Sequence, residues 1–221
     1  MPKWTTLPAE PLRYQFHQDA FLKARRLRWC TTCHTEYSNP PDLACPTCQV
    51  KGERKFDRLT VITGRRWGKS RFGSIAATEE ACIPNTIGWA CAPSNPKLHR
   101  YVIPAFQQLI PPEWVANWNS EYLDLRLKNG SLIHFQTLED PDQGRGQGLD
   151  WLWIDEVCEL SDRHWEVISP SLAGPSVAFF TTTPRGFDWG YDKLYKPAED
   201  RVPGFWGCHA PTSSSANPKI S

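Results

Sequence analysis

The chain has 221 residues, 40% of them apolar and eleven of them tryptophan, which suits one medium domain with a sizeable core and at most a small appendage. Its formal net charge of +1 excludes polyanion binding driven by whole-chain charge, so any nucleic-acid contact has to come from local patches. No apolar run reaches membrane-span length and the opening MPKWTTLPAE has no signal-peptide core, so the eight cysteines are expected to be reduced or metal-bound rather than disulfide-paired.

Residues 1–12 are rich in proline and read as extended. Tyr14–Leu27 places Ala20, Phe21, Ala24 and Leu27 at helical spacing, with Lys23, Arg25, Arg26 and Arg28 on the opposite face. A charge run of that kind reads as a solvated helix face, and Gln15 or Gln18 offers an amide suited to an adenine edge. Cys30-x-x-Cys33 and Cys45-x-x-Cys48 follow, separated by eleven residues that include Asn39-Pro40-Pro41-Asp42. Two such knuckles supply four thiolates to one tetrahedral ion, so the stretch predicts zinc, and the filled shell makes that zinc structural. Lys51, Arg54, Lys55 and Arg58 continue the basic residues, as a phosphate-backbone contact or as ordinary surface.

Leu59–Thr63 is a short apolar, β-branched run and reads as a buried strand. Gly64–Gly68 is a tight loop, and Lys69-Ser70 opens a helix that Pro84 stops. Strand, glycine loop and helix with Gly-Lys-Ser is a phosphate-binding arrangement, because backbone N–H groups and the helix N-terminus face the anion. Lys69 then reaches the β- and γ-phosphates and Ser70 ligates magnesium. The pattern deviates: Thr63 stands where the first glycine is usual, and Arg65-Arg66 adds charge inside the loop.

Thr86–Ala92 reads as a second buried strand and Lys97–Leu109 as a helix ended by Pro111-Pro112. Glu121–Leu127 and Ser131–Leu138 flank Lys128-Asn129-Gly130, a hairpin signal. Asp140–Leu149 is a glycine-rich loop whose one cation is Arg145. Trp151–Ile154 is a strand that ends in Asp155-Glu156, which sets two carboxylates at the carboxyl end of a buried strand. Asp155 is suited to magnesium and Glu156 to orienting the attacking water. Asp162–Ser169 reads as a short helix and Val177–Thr181 as a strand leading to Thr182-Thr183, whose hydroxyls are placed to sense a γ-phosphate. Gly204–Ala210 is the last strand, and residues 211–221 are small, polar and linker-like.

Taken together, Thr63–Ser70, Trp151–Glu156 and Thr181–Gly186 resemble the ATPase motor domain of the large terminase subunit of tailed bacteriophages. The resemblance runs from about Tyr14 to the C-terminus, apart from the cysteine insertion. It implies an α/β P-loop NTPase of the ASCE (additional-strand) type, with a mainly parallel central sheet flanked by helices. It also implies ATP and magnesium as cofactors. Gln18 is similar to that family's adenine-contacting glutamine, Thr182 and Thr183 to its coupling motif, and Arg145-Gly146 to a segment that lends an arginine to a neighbouring subunit. Nucleotide contacts are expected from Gln18, Gly64, Arg65, Arg66, Trp67, Gly68, Lys69 and Ser70. Arg66, or Arg145 from a neighbour, would stabilise charge on the γ-phosphate.

The expected organisation is an N-terminal segment and helix (1–28), a zinc insertion (29–50), an ATPase core (51–210) and a linker (211–221) toward a nuclease domain not contained in this chain. Expected partners are double-stranded DNA, the capsid portal, a small terminase subunit and copies of the chain in a ring, with no membrane. The expected location is the host cytoplasm and, transiently, the procapsid. A helicase-like or repair translocase shares the same core, and a non-catalytic zinc-bearing DNA- or protein-binding module is the reading of a different class.

Overall fold

The structure is a computed structural model that describes residues 16–38, 44–65, 67–144, 148–172, 174–186 and 188–210. Helix α1 (Phe16–Arg26) runs without a loop into β1 (Leu27–Trp29), which pairs antiparallel with β2 (Glu36–Ser38) and β3 (Glu53–Arg54) in a small sheet of order β2-β1-β3. These strands widen the cysteine module beyond the expected 29–50, because Leu27, Arg28, Glu53 and Arg54 belong to its sheet.

The main sheet uses β4 (Phe56–Thr63), β5 (Ile87–Ala92), β6 (Val115–Asn119), β7 (Asp124–Leu127), β8 (Leu132–Thr137), β9 (Trp151–Asp155), β10 (Val177–Thr182) and β11 (Gly204–Ala210). Its order is β11-β4-β10-β9-β5-β8-β7-β6. Six strands run parallel, and the β7–β8 and β6–β7 pairs are antiparallel. The central strands read as continuous apolar runs because both faces are covered. Phe179, Trp151 and Trp153 face one buried cluster with Phe21, Phe72 and Phe106. Leu152, Ile154 and Phe180 face the other, with Ile168 and Leu194.

Helix α2 (Lys69–Ala81) lies between the sheet and the helix that follows β5, and Arg71 is its one exposed residue. Small side chains permit that approach: a Cβ on Gly73 would stand 2.2 Å from Trp153 Nε1. The next helix is not continuous. α3 (Asn95–Lys97) passes through a π-helical turn at Leu98–Val102 into α4 (Ile103–Leu109). The β7–β8 hairpin forms where the Asn-Gly signal lies, with Gly130 at φ 88, and Asn129 donates to the Ala81 and Cys82 carbonyls at the end of α2. α5 (Asp162–Ile168) covers the second face, and α6 (Lys196–Glu199) packs near β11. Among the described residues no helix is long and apolar enough to cross a membrane.

The basic face expected of α1 is corrected at two positions. Arg25 and Arg28 are buried, at 1% and 4% exposure. Arg25 pairs with Glu79 and Glu80 of α2, and Arg28 donates to the Arg25 and Leu27 carbonyls, satisfying groups that the end of α1 leaves open. Arg54 pairs with Glu80, Lys55 with Glu36, and the Arg58 guanidinium lies 5.6 Å from the Trp165 ring centroid. Arg25, Arg28, Arg54 and Arg58 are therefore engaged within the fold, whereas Lys23, Lys51 and Lys55 are exposed.

Candidate nucleotide and metal sites

The phosphate loop leaves β4 at Thr63 and enters α2 at Lys69. Gly68 takes φ 88, a left-handed conformation that a glycine adopts without a Cβ penalty, and its carbonyl accepts from the Phe72 N–H at 3.0 Å. Trp67 is buried and packs edge-on to Phe72 at 6.0 Å, so its side chain anchors the loop to the core and its backbone is what remains for a nucleotide. Arg65 is exposed at the loop surface. Arg66 and Arg145 lie outside the described residues. Gln18 sits on α1, and its side chain is likewise outside them.

The two acids meet this loop from β9. Ser70 Oγ donates to Asp155 Oδ2 at 2.6 Å, and Thr181 Oγ1 donates to Asp155 Oδ1 at 2.7 Å. Thr181 Oγ1 in turn accepts from Trp153 Nε1 at 3.0 Å, which aims its proton at the carboxylate. Burial pushes the Asp155 carboxyl up, and the Ser70 and Thr181 bonds work against that rise. A hydroxyl and a buried carboxylate in contact form a hard oxygen set suited to magnesium.

Glu156 turns the chain at the end of β9 with φ 52 and ψ 44, an uncommon conformation for a non-glycine residue. That turn carries its carboxylate back to Lys69, with Nζ to Oε1 at 3.1 Å. Thr183 holds the same group from the end of β10: its N–H donates to Oε2 at 3.0 Å and its hydroxyl to Oε1 at 3.1 Å. Burial favours the neutral acid, but Lys69 and Thr183 together hold the Glu156 carboxyl below its usual range. Thr182 Oγ1 accepts from the Cys158 N–H at 3.3 Å. Lys69, Ser70, Asp155, Glu156 and Thr183 therefore converge, while Thr182 fastens the turn after Glu156. Sequence reasoning missed the role of Thr181 and Trp153. The two-residue period of a strand puts Trp153 and Asp155 on one side of β9, but it is the β9–β10 register that sets Thr181 beside Asp155, and the sequence does not carry that register.

The four cysteines of the module also converge. Their sulfurs all lie within 4.8 Å of one another, and two pairs join one knuckle to the other: Cys30–Cys48 at 3.3 Å and Cys33–Cys45 at 3.5 Å. A tetrahedral Zn–S₄ shell has sulfurs about 3.8 Å apart. The knuckles share one backbone design. His34 and Gln49 follow the second cysteine of each at φ 57 and 62, and their N–H groups donate to Cys30 O and Cys45 O at 2.9 Å. Backbone N–H groups of Cys33 and Thr32 hold the Cys30 thiol below its ordinary range, and those of Cys48 and Thr47 do so for Cys45 against the effect of burial. Those N–H groups favour the thiolate, the form that binds metal, at Cys30 and Cys45, whereas Cys48, with the Val50 N–H lowering it but its neighbouring thiols and burial prevailing, is pushed up to about 12.

The sheet order settles the class. The phosphate-loop strand β4 and the acidic strand β9 are not neighbours, because β10 lies between them and is parallel to both. This is a P-loop NTPase fold of the additional-strand type, with the lysine–serine helix start facing the acidic strand end. Residues 61–213 match the family model "Terminase large subunit, T4likevirus-type, N-terminal". The chain belongs to that family. Among solved structures, it is similar to the large terminase ATPase domain of Thermus phage P74-26, at 23% identity and TM-score 0.58 over 74% of this chain and 79% of that one. It is also similar to the large terminase of a second, thermophilic bacteriophage. The ADP complex of that second protein matches at 15% identity and TM-score 0.67 over 95% of this chain, and the ATP-gamma-S complex at 14% and 0.64 over the same share. The chain spans 48% of the second phage's protein in the ADP complex and 47% in the ATP-gamma-S complex. No curated protein matches it.

Proposed function

We propose that this chain is the ATPase motor of a viral terminase, which hydrolyses ATP with magnesium to translocate double-stranded DNA into a procapsid. The observation that carries the reading is the meeting of Lys69 and Ser70, at the start of α2, with Asp155 and Glu156, at the end of β9. The ADP and ATP-gamma-S complexes of the thermophilic bacteriophage's large terminase support nucleotide as the ligand. Lys69 would bind the β- and γ-phosphates, Ser70 and Asp155 would hold magnesium, and Glu156 would orient water and take its proton. Magnesium would neutralise charge as it develops on the phosphates. Arg66, or Arg145 of a neighbour in a ring, is proposed for the transition-state charge, and Thr182–Thr183 for coupling hydrolysis to movement.

The test is ATP turnover with magnesium, with and without duplex DNA. Lys69→Ala is expected to lower turnover at least about 100-fold, since one cation on the transferred phosphoryl carries that order of stabilisation. Stimulation by duplex DNA without strand separation favours a packaging motor, and strand separation favours a helicase. Turnover in Lys69→Ala within about threefold of the parent would remove Lys69 from the site.

We also propose structural zinc on Cys30, Cys33, Cys45 and Cys48. Metal analysis of protein purified without chelator is expected to return one zinc per chain, and replacing Cys45 with serine is expected to abolish it. A zinc content near zero in the parent protein refutes the assignment.

A further inference from the structure

Two features that hydrolysis leaves unused lie end to end in the fold. One is the four-thiol cluster. The other is a buried charge cluster in which Glu80 faces Arg25 and Arg54, with Glu79 beside Arg25 and Arg26. Arg54 stands on β3 of the cysteine module, and Glu80 stands on the last turn of α2. The pair is bidentate, with Arg54 Nη2 at 2.5 Å from Glu80 Oε2 and Nη1 at 3.1 Å from Oε1, so it fixes orientation as well as distance. Arg28 and Arg54 are also direct cross-strand partners, an arrangement in which like charges repel. Glu80 supplies the opposite charge beside them.

A second path joins the same ends. Phe21 of α1 packs against Phe72, in the first turns of α2, with ring centroids 4.5 Å apart. One turn further along α1, Arg25 and Arg26 reach Glu79 and Glu80 in the last turn of α2. α1 then continues through β1 directly to Cys30, the first thiol. α2 is thus held near both of its ends by an element covalently continuous with the metal cluster. Its own first two residues are Lys69 and Ser70.

We propose that the cysteine module is a metal-dependent brace for the phosphate loop, in which metal occupancy sets nucleotide affinity through the Arg54–Glu80 pair and α1. The inference rests on the zinc and ATP readings above. With metal bound, the module presents β3 and α1 as one rigid piece against α2. Without metal, β1 and β3 lose the cross-link that holds them, and α2 keeps its packing on the sheet and on α4 but loses the restraint of the module. Arg54 and Glu80 are positioning residues, since they act through α2. Linkage makes the effect reciprocal, so nucleotide raises metal affinity by the same factor.

The experiment titrates a fluorescent ADP analogue against the full chain with zinc bound and after metal removal, with circular dichroism to verify that the sheet persists. Metal removal is expected to weaken ADP binding about tenfold, within the usual range of intersite coupling, and zinc addition to restore it. Arg54→Gln leaves the Arg25–Glu80 pair in place. It is expected to retain zinc, to bind ADP more weakly than the parent, and to show a metal effect clearly smaller than the parent's, the remainder passing through α1, with Arg54→Lys recovering part of the coupling. If the stripped protein unfolds, zinc retention against a chromophoric chelator is measured with and without ADP. Retention about tenfold stronger with ADP supports the brace. Equal ADP affinity in the two metal states, a metal effect undiminished in Arg54→Gln, or zinc retention indifferent to ADP overturns it. The underlying readings fail differently: a chain without zinc, or one that binds no ADP in either metal state, removes the ground of the proposal.

Discussion

Replacing Glu156 with glutamine is expected to leave nucleotide bound and to lower hydrolysis by about 10²- to 10⁴-fold, the usual worth of a positioned general base. The substitution keeps the shape of the side chain. The amide carbonyl can still accept from the Thr183 N–H, and the amide NH₂ can donate to the Thr183 hydroxyl in place of the second oxygen, so the strained turn at φ 52 keeps its anchor. What is lost is proton affinity and the ion pair to Lys69. Lys69 then has no competitor for phosphate, and nucleotide affinity should be equal to or tighter than that of the parent. Equilibrium binding of ADP and single-turnover hydrolysis of ATP separate the two quantities. A hydrolysis rate within about threefold of the parent would remove Glu156 from the chemistry.

The second large effect concerns the fold. Glu80→Ala is expected to cost about 3–5 kcal/mol of unfolding free energy, because it leaves Arg25 buried without its principal partner. Arg25 is 1% exposed and Arg28 4%, and Arg54 stands opposite Arg28 across the small sheet, so the loss of one carboxylate leaves three guanidiniums facing one another. A denaturant melt with unchanged slope gives the number. The acid dependence carries the same signature. Burial favours the neutral acid, but Arg25 and Arg54 outweigh it and hold the Glu80 carboxyl below its usual range. A depressed folded-state pKa stabilises fully above the unfolded carboxylate pKa, and that contribution fades as pH falls through the folded value. The parent should therefore lose this increment on acidification, and Glu80→Ala should lack it. A melt midpoint unchanged by the substitution would show that water reaches the cluster.

The parallel core was legible because its strands are fully covered. Leu59–Thr63, Trp151–Ile154 and Val177–Thr181 carry no alternation to confuse, and each forms the strand expected of it, extended by one residue or more. The cysteine spacing and the Asn-Gly turn carried equally local signals. β6 was not legible, since Val115–Asn119 is short, carries two asparagines among its five residues and lies at the sheet edge beside β7. The buried arginines were misread for a related reason. Charge at helical spacing says which side of α1 a residue occupies, and nothing about whether a glutamate from α2 waits there. The Glu79-Glu80 pair looks equally solvated in sequence. Trp67 was expected at the nucleotide through its place in the loop; its side chain packs into the core, which leaves its backbone for that contact. The candidate arginines Arg66 and Arg145 and the Gln18 side chain lie outside the described residues, so their placement rests on the sequence alone.

The position of β10 between β4 and β9 bears on how this site can be borrowed. Neither the phosphate loop nor the acidic strand touches the other through the sheet ladder; both are registered against β10, which also supplies Thr181 to Asp155 and leads into Thr183 at Glu156. The smallest portable unit is consequently three strands and one helix, gathered from segments more than a hundred residues apart in the chain. A transplant that carried only the loop and the two acids would bring the right residues to a new scaffold with no common ruler to set them against each other.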